Sequence, residues 1–426
     1  MTSPDGLSVL HVATTDLGDG AGIAAFRLHQ SLRQLGVESR MAVMNKRSSR
    51  SDIHQVEGSF GSSKRSPLLD FVSDGLEVLL NQFLPQNSFP LHSRRLLSSS
   101  LVKQSSVFNL HALHKRRRYF AADLCLALSQ RAPVVWTLHD MWAFTGHCTY
   151  SFDCERWKDA CGACPTLADP VKLAFDTTAM NLRFKRRIYA GSNFVAVCPS
   201  RWLADLARAS PLLAGKRIEH IPYGIDTSVF RPVDKRAARQ RLSLPPNARI
   251  LLCSAFSFSD RRKGLPFVWE ALSRQQRSGE GLLLIMGNGL PPTEMPRGWS
   301  MRTMGFLPDP AQQALVFSAA DALIFPSLAD NLPNTVLEAM ACGAAVLAFA
   351  VGGIPEIVRS EETGYLAPLG DADALARGID WLFEDAERLG RIQRAAAADI
   401  ARNYAPRVQA ERYRDLYLGL LEGRRS

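Results

Sequence analysis

The stretch "ALIFPSLADNLPNTVLEAMACGAAVLAFAVGGIPEIV", residues 322–358, places a helix-length segment between two short apolar runs. Pro333 suits the first turn of that helix, whose N–H groups have no intrahelical partner, and Gly343 suits its end. Strand, helix and strand in this order predict a βαβ unit of a parallel sheet. Asp330, before the helix, and Glu338, within it, are then expected near the carboxyl ends of the strands, where such sheets bind ligands.

The same alternation of strands and helices runs through the rest of the chain. Short apolar runs occur at 8–13, 39–44, 107–111, 134–139, 194–198, 217–221, 250–256, 282–287, 322–326 and 344–350. A stretch rich in proline and charge, 230–249, separates the first six from the last four. We therefore predict an α/β protein of two Rossmann-like, doubly wound domains that face each other across a cleft.

The predicted domains have these bounds. Residues 1–228 form the first domain, which carries an insertion at 57–106 and a cysteine-rich loop at 145–166. Residues 229–405 form the second domain. Residues 406–426 form a helix with one apolar face, which is expected to pack back toward the first domain.

Composition predicts a folded protein with an anionic partner. Of 426 residues, 46% are hydrophobic and 22% charged, and the formal net charge is +10. The partner would be a nucleotide, a nucleic acid or an acidic membrane face. The absence of a long apolar segment and of a signal-like start predicts a cytoplasmic protein. The apolar segment 67–84 is either a helix packed on its own domain or, with the basic runs 114–119 and 183–189, a peripheral contact with the inner face of the inner membrane.

A glycine-rich turn, "TTDLGDGAGIAAFRL" (14–28), follows the first predicted strand. Gly20, Gly22 and Ala25 satisfy the G-x-G-x-x-A pattern, in which backbone N–H groups approach phosphate oxygens at a helix N-terminus. Residues 45–47, Asn-Lys-Arg, stand where an NAD site would place a ribose-binding acid. NAD is therefore disfavoured, although NADP would tolerate these basic residues.

The loop around Asp330 predicts a second anion site. N–H groups of residues 331–335 would point at an anion, and Glu338 can accept hydrogen bonds from the two hydroxyls of a ribose. A phosphate would repel Asp330, so neutral sugar hydroxyls fit that carboxylate better.

Several motifs in order resemble one family. They are "GDGAGIAAFRLHQSLRQLG" near the start, "VVWTLHDMWAFTGHC" (134–148), "HIPYGIDTSVFRP" (220–232), "RKGLPFVWEAL" (262–272) and "DNLPNTVLEAMACGAAVLAFAVGGIPEIV" (330–358). Together they resemble the retaining glycosyltransferases of family four, which have the GT-B fold. The stretch around His139 and the cysteines that follow are similar to a subgroup that assembles bacterial exopolysaccharide, O-antigen and colanic-acid-type polymers.

The resemblance implies a retaining transfer of a sugar from a nucleotide-diphosphate sugar to a hydroxyl of a growing, lipid-linked surface polysaccharide. No metal is required for such catalysis. The implied roles fall on these residues: Gly20 and Gly22 at the diphosphate, Lys263 and Arg262 at the leaving group, Asp330, Asn331 and Leu332 at the sugar and phosphate, Glu338 at the ribose, Gly287, Gly289 and Phe306 at the base, and His139 at the reacting centre. His111 and Asp140 are candidates for contact with the acceptor.

Two positions depart from the family pattern. Asp330 stands where glutamate is usual, so its reach is one methylene shorter. Phe258 stands where a basic residue often precedes the lysine, so either Arg261 or Arg262 replaces that charge or the site has one charge fewer.

Four cysteines, Cys148, Cys154, Cys161 and Cys164, lie close together in the sequence. They form either a structural zinc site of four thiolates or a loop with free thiols. His147 is an alternative ligand. The other four cysteines lie in apolar runs and are expected in the core.

Two other functions are kept as alternatives. A basic, zinc-stabilised nucleic-acid-binding protein would explain the charge and the cysteines, but it leaves the two βαβ halves and the paired acids without a role, and the basic runs lack interleaved aromatic residues. A GT-B-like sugar-nucleotide epimerase would use a similar site without an acceptor.

Overall fold

The structure is a computed structural model that describes residues 6–56, 91–114, 119–168, 173–275, 280–289 and 294–425. The chain divides into two compact units. Unit 1 comprises residues 1–222 and 409–426, and unit 2 comprises residues 223–408. The sequence had placed these boundaries at 228/229 and 405/406. The predicted apolar segment 67–84 lies outside the described residues.

Unit 1 is built on a parallel sheet with the strand order β3-β2-β1-β4-β5-β6-β7. Its described strands are β1 (Ser8–Thr15), β2 (Glu38–Asn45), β3 (Ile53–Gln55), β4 (Val107–Leu110), β5 (Val134–Thr137), β6 (Val195–Cys198) and β7 (Arg217–His220). Its described helices are α1 (Gly20–Gln34), α2 (Leu91–Ser98), α3 (Ser100–Lys103), α4 (Leu124–Ser129), α5 (Thr178–Gly191) and α6 (Arg201–Ala209).

Unit 2 is built on a second parallel sheet, with the order β10-β9-β8-β11-β12-β13. Its described strands are β8 (Arg249–Ser257), β9 (Gly281–Asn288), β10 (Trp299–Gly305), β11 (Ala322–Phe325), β12 (Ala345–Phe349) and β13 (Gly364–Ala367). Its described helices are α7 (Lys235–Arg241), α8 (Leu265–Ser273), α9 (Pro310–Ala319), α10 (Asn334–Ala341), α11 (Ile354–Ile357), α12 (Ala372–Glu384) and α13 (Ala386–Asn403).

Both sheets follow from their apolar runs. Strand β12 reads AVLAF and all of its residues are buried, as expected for a parallel strand covered by helices on both faces. In each unit the order reverses beside the first strand, which is the crevice where ligands of doubly wound sheets bind. The prediction of two Rossmann-like α/β domains is confirmed.

The helix α14 (Pro406–Arg425) begins in unit 2 and continues into unit 1. Its residues Tyr413 and Tyr417 are buried in the core of unit 1. The Nδ2 of Asn109 donates to the Tyr417 hydroxyl at 2.7 Å, and the hydroxyl groups of Thr137 and Tyr413 lie 3.0 Å apart. The helix therefore packs two aromatic rings against the sheet of unit 1, and the hydroxyl group of each ring has a hydrogen-bond partner.

Among the described helices, none combines the length and the apolar character that crossing a membrane requires.

Candidate active site

In unit 2 an ion-paired cluster lies where β11 ends. Asp330 is only 7% exposed, and its Oδ2 accepts a hydrogen bond from the Lys263 ammonium group at 2.7 Å. The Arg262 guanidinium donates to the same oxygen at 3.1 Å and to the carbonyl oxygen of Ala329 at 2.8 Å. The hydroxyl of Ser327 donates to that oxygen at 3.3 Å. Two cations and one hydroxyl thus hold a single buried carboxylate oxygen.

Two glycines allow the backbone to approach closely enough to build this cluster. A Cβ at Gly264 would lie 1.9 Å from the carbonyl oxygen of Pro326, and a Cβ at Gly352 would lie 1.7 Å from that of Asp330. Both glycines have positive φ, +66° and +60°. Any other residue at either position would push the Asp330 loop out of place.

Charge explains why the Asp330 carboxyl is ionised. Burial by itself raises the pKa of a carboxyl, but the positive charges of Lys263 and Arg262 bring the pKa of Asp330 below its ordinary value of 3.8. Burial lowers the pKa of Lys263, and the charge of Asp330 opposes that effect. Each charge therefore depends on its partner.

The helix α10 begins directly after this loop. Pro333 occupies the cap position before Asn334, one residue earlier than the first turn that the sequence suggested. Asn331 and Leu332 are buried in the loop, and Glu338 is 7% exposed on the helix. Asn331 and Leu332 directly follow Asp330 in the loop, and Glu338 lies on the helix that the loop leads into; their common role in one site stays a prediction.

An aromatic pair flanks the glycine turn after β9. Phe256, near the end of β8, is 58% exposed, and Phe306, just after β10, is 47% exposed. Their rings meet edge to face with centroids 5.8 Å apart. Strand β9 lies between β8 and β10. Gly287 near its end and Gly289 just after it have no side chains that could cover the aromatic pair. Phe256 was missed by the sequence reasoning.

Phe258 is a core residue. It packs in the hydrophobic cluster of unit 2, and its N–H donates to the Asn288 carbonyl oxygen at 2.9 Å. The resemblance leads one to expect a basic residue at this position, but the side chain present is apolar and packs in the core. Arg262 supplies the second cation at Asp330 from a different backbone position.

In unit 1 the helix α1 begins at the expected glycine turn. Asp19 caps this helix, and its carboxylate accepts a hydrogen bond from the N–H of Gly22 at 2.8 Å. The Gly22 N–H, which the sequence assigned to a diphosphate, is therefore occupied by Asp19 in this conformation. A phosphate would have to displace that carboxylate.

A row of three histidines crosses the neighbouring strands β1, β4 and β5. The Nδ1 of His11 lies 2.9 Å from Nε2 of His111, and the Nδ1 of His111 lies 3.0 Å from Nε2 of His139. Burial lowers the pKa of His139 to about 4 and holds those of His11 and His111 well below 6.5, so all three rings are neutral at pH 7.

The acceptor role expected for His111 is corrected. The side chain is buried, and each of its ring nitrogens forms a hydrogen bond with another histidine. An acceptor substrate therefore cannot reach it in this conformation. Asp140 lies 3.4 Å from the His114 ring and accepts from the N–H of Trp142 at 2.8 Å.

The four cysteines of the loop after β5 line one small cavity together with His147. Its volume of about 10 Å³ suits a single ion or water rather than an organic ligand. Cys161, Gly162 and Ala163 all have positive φ, so this turn is tightly wound. Among the described residues, no three His, Cys, Asp or Glu side chains are already arranged to hold a metal ion. The other four cysteines are buried, as expected.

Comparison with known proteins finds a family match in the second half of the chain. Residues 247–385 match the family described as Glycosyl transferases group 1. This region contains Lys263, Asp330 and Glu338. A D-inositol 3-phosphate glycosyltransferase of Segniliparus rotundus is 32% identical over 201 residues, which cover 44% of this chain and 44% of that protein. The chain spans less than half of the length of the curated relatives it matches.

Solved structures identify the fold over the whole chain. Sucrose-phosphate synthase from Thermosynechococcus elongatus has a TM-score of 0.68 at 18% identity, with 98% of this chain and 100% of that chain covered. HepE from Anabaena, in complex with UDP and glucose, has a TM-score of 0.65 at 15% identity, with coverage of 96% and 99%. The chain has the GT-B fold. At these identities the likeness establishes the fold alone.

Proposed function

We propose that the chain is a retaining glycosyltransferase of family four that uses a nucleotide-diphosphate sugar as donor. The observation that carries the proposal is the cluster of Lys263, Arg262 and Asp330, which lies at the carboxyl end of the unit 2 sheet and within the matched region. Cations held at this edge of a doubly wound sheet suit a diphosphate. The structure of HepE with UDP and glucose supports the same class of donor.

The chemistry follows from where charge develops. When the bond between the sugar and the diphosphate breaks, negative charge grows on the leaving phosphate oxygens. The Lys263 ammonium group, assisted by Arg262 and the amides of Asn331 and Leu332, would stabilise this charge. Asp330 would then exchange part of its ion pair for the sugar hydroxyls. The resemblance implies that the acceptor hydroxyl attacks the face that the leaving group vacates.

The remaining donor contacts are proposed on geometry. Glu338 would accept hydrogen bonds from the ribose hydroxyls. Phe306, with Phe256, would offer the nucleobase an exposed aromatic surface beside the open turn at Gly287 and Gly289. Gly20 and Gly22 would contact the diphosphate after Asp19 releases the N–H of Gly22.

The acceptor is proposed to be a lipid-linked saccharide at the inner face of the membrane, as the subgroup resemblance implies, with peripheral attachment through the basic surface. The name of the Segniliparus relative favours a second class of acceptor, a soluble phosphorylated cyclitol. His139 and Asp140, in unit 1, are the residues proposed to meet donor sugar and acceptor.

One experiment tests the donor class directly. Thermal unfolding would be measured with UDP-, GDP-, ADP- and dTDP-sugars, since a ligand at 100 times its Kd stabilises the folded state by about 2.7 kcal/mol. The best donor would then be incubated with each acceptor class and the product analysed. Donor stabilisation followed by a new glycosidic product supports the proposal. Conversion of the donor sugar without an acceptor would favour an epimerase, and binding to DNA without any donor effect would favour the nucleic-acid binder.

We also propose a structural zinc ion in the cysteine loop, bound by Cys148, Cys154, Cys161 and Cys164. Two observations support this site: the four cysteines line one cavity, and the backbone turns tightly at Cys161, with positive φ angles. The buried Lys185 supports it as well, because its ammonium group donates to the carbonyl oxygens of Trp142 and Thr145 beneath the loop. A zinc with four thiolates carries a net charge of −2 and would be attracted by that cation.

A further inference from the structure

The row of His11, His111 and His139 has a direction that its distances do not reveal. A neutral imidazole has one N–H donor and one acceptor nitrogen. Each contact in the row, at 2.9 Å and 3.0 Å, must therefore have one donor and one acceptor. Because both contacts involve His111, its ring couples them. The three protons must then lie either all on Nδ1 or all on Nε2.

The far end of the row selects between these two states. His11 is fully buried, and among the described residues no hydrogen-bond partner lies within reach of its Nε2. A proton on that nitrogen would create a buried N–H without an acceptor, which native structures avoid more strictly than an unpaired acceptor. The proton of His11 is therefore favoured on Nδ1, from which it donates to His111.

We propose that His11 and His111 are positioning residues that fix His139 as its Nδ1–H tautomer. His11 donates to Nε2 of His111, and His111 in turn donates to Nε2 of His139. His139 then presents an N–H group, and not a lone pair, at Nδ1. The lowered pKa values of all three rings agree with neutral imidazoles along the row.

The inference deepens the proposed function, on which its catalytic meaning rests. A neutral Nδ1–H can donate to a hydroxyl or phosphate oxygen of the donor, but it cannot take a proton at that atom. His139 would thus stabilise oxygen atoms at the reacting centre and would not act there as the general base. The proton of the acceptor hydroxyl must leave by another route.

The direct test is spectroscopic and needs no substrate. Selectively ¹⁵N-labelled histidines would be observed by long-range ¹H–¹⁵N correlation at pH 7, with assignment through single histidine variants. The expected result is a protonated Nδ1 and an unprotonated Nε2 in all three rings. A protonated Nε2 at His139 would overturn the proposal whether or not the protein transfers sugars.

A matched pair of variants tests the consequence for catalysis. In His11→Asn the side-chain amide keeps a donor near the position of Nδ1, whereas His11→Leu has a similar volume and no donor. We expect His11→Asn to retain kcat within about twofold and His11→Leu to lower kcat about tenfold, the rate equivalent of one hydrogen bond, with KM for the donor sugar unchanged. His54→Leu, on β3 outside the row, is the control.

Two readouts separate positioning from simple destabilisation. The ¹⁵N spectrum of His11→Leu should show His139 as a mixture of tautomers, and that of His11→Asn should remain like the wild type. Equal losses of kcat in both variants, or an unchanged His139 tautomer in His11→Leu, would contradict the proposal. If His11→Leu does not fold, the wild-type and His11→Asn spectra still decide the direction of the row.

Discussion

The ammonium group of Lys263 lies 2.7 Å from the carboxylate of Asp330, although 67 residues separate them in the sequence. This contact joins the segment after β8 to the loop after β11, and these two strands are neighbours in the unit 2 sheet. A cation that is largely shielded from solvent and already ion-paired is oriented before any ligand arrives. Preorganised charge of this kind stabilises a leaving group without further rearrangement.

The first prediction concerns the charge of Lys263. Substituting Lys263→Met keeps most of the side-chain volume and removes the ammonium group, so we expect sugar transfer to fall by about 100-fold or more. Initial rates of purified enzyme with saturating donor provide the measurement. The exposed neighbour Arg261→Ala serves as the control and should keep its rate. A rate near that of the wild type in Lys263→Met would remove this lysine from the mechanism.

The second prediction concerns Asp330 and acid. Its folded-state pKa is lower than the ordinary value of 3.8, so the folded protein holds this proton less tightly than the unfolded chain. The resulting stabilisation is complete above that value and is lost as pH falls below it. Asp330→Asn should therefore lower the free energy of unfolding by about 2 kcal/mol at pH 7, and less below pH 4.

Denaturant unfolding between pH 7 and pH 3 measures this difference. Glu294→Gln, an exposed carboxylate of unit 2, is the matched control and should change stability little at any pH. A gap between wild type and Asp330→Asn that stays constant down to pH 3 would show that the ion pair does not set the stability of this loop.

The third prediction concerns ribose recognition by Glu338. Glu338→Ala should lower transfer about 100-fold or more if this carboxylate holds the donor during reaction. A sharper readout compares UDP with 2′-deoxy-UDP in thermal unfolding. The wild type should be stabilised more by UDP, and Glu338→Ala should respond to both alike. Undiminished discrimination in the variant would place the ribose elsewhere.

The fourth prediction concerns the aromatic pair. Phe306→Ala should raise the KM for the donor about tenfold and leave kcat nearly unchanged, because stacking of a base on an aromatic ring contributes about 1–3 kcal/mol. Phe256→Ala should act in the same direction. Phe175→Ala, an exposed phenylalanine of unit 1, is the comparison. If all three variants share the wild-type KM, the base binds away from this surface.

The fifth prediction concerns metal content. Protein purified without added zinc should contain about one zinc ion per chain by elemental analysis, and Cys164→Ser should lower that content and the unfolding temperature together. Cys342→Ala, in unit 2, should retain the metal. A ratio near zero in the wild type would leave four free thiols around the cavity.

The sequence was informative where local pattern decides structure. Buried runs such as AVLAF predicted parallel strands, and the position of Asp330 after β11 predicted its place at the edge of the sheet. The pairing of Asp330 with Lys263 was not predicted, because it depends on the backbone contact between Gly264 and Pro326. The row of histidines was not predicted either, since His11 and His111 are 100 residues apart.

The burial of two phenylalanines could not be predicted from the sequence either. Phe258 looked like a lost charge in the sequence, yet it is a core residue. Phe256 looked like part of an apolar strand, yet its ring is largely exposed beside Phe306. Simple alternation would place residues 256 and 258 on one face, but the register of β8 shifts between Ala255 and Ser257, and this irregularity has no signal in the sequence.

Helix α14 has a consequence for biosynthesis. Residues 409–425 leave the ribosome after all of unit 2, but unit 1 needs Tyr413 and Tyr417 to cover its sheet and to satisfy Asn109 and Thr137. Unit 2 can therefore complete its core during translation, whereas unit 1, although synthesised first, waits with an apolar surface exposed. Ribosome stalling or a nonsense codon before residue 409 would yield chains without Tyr413 and Tyr417. The apolar surface of unit 1 would then stay exposed and require protection by chaperones.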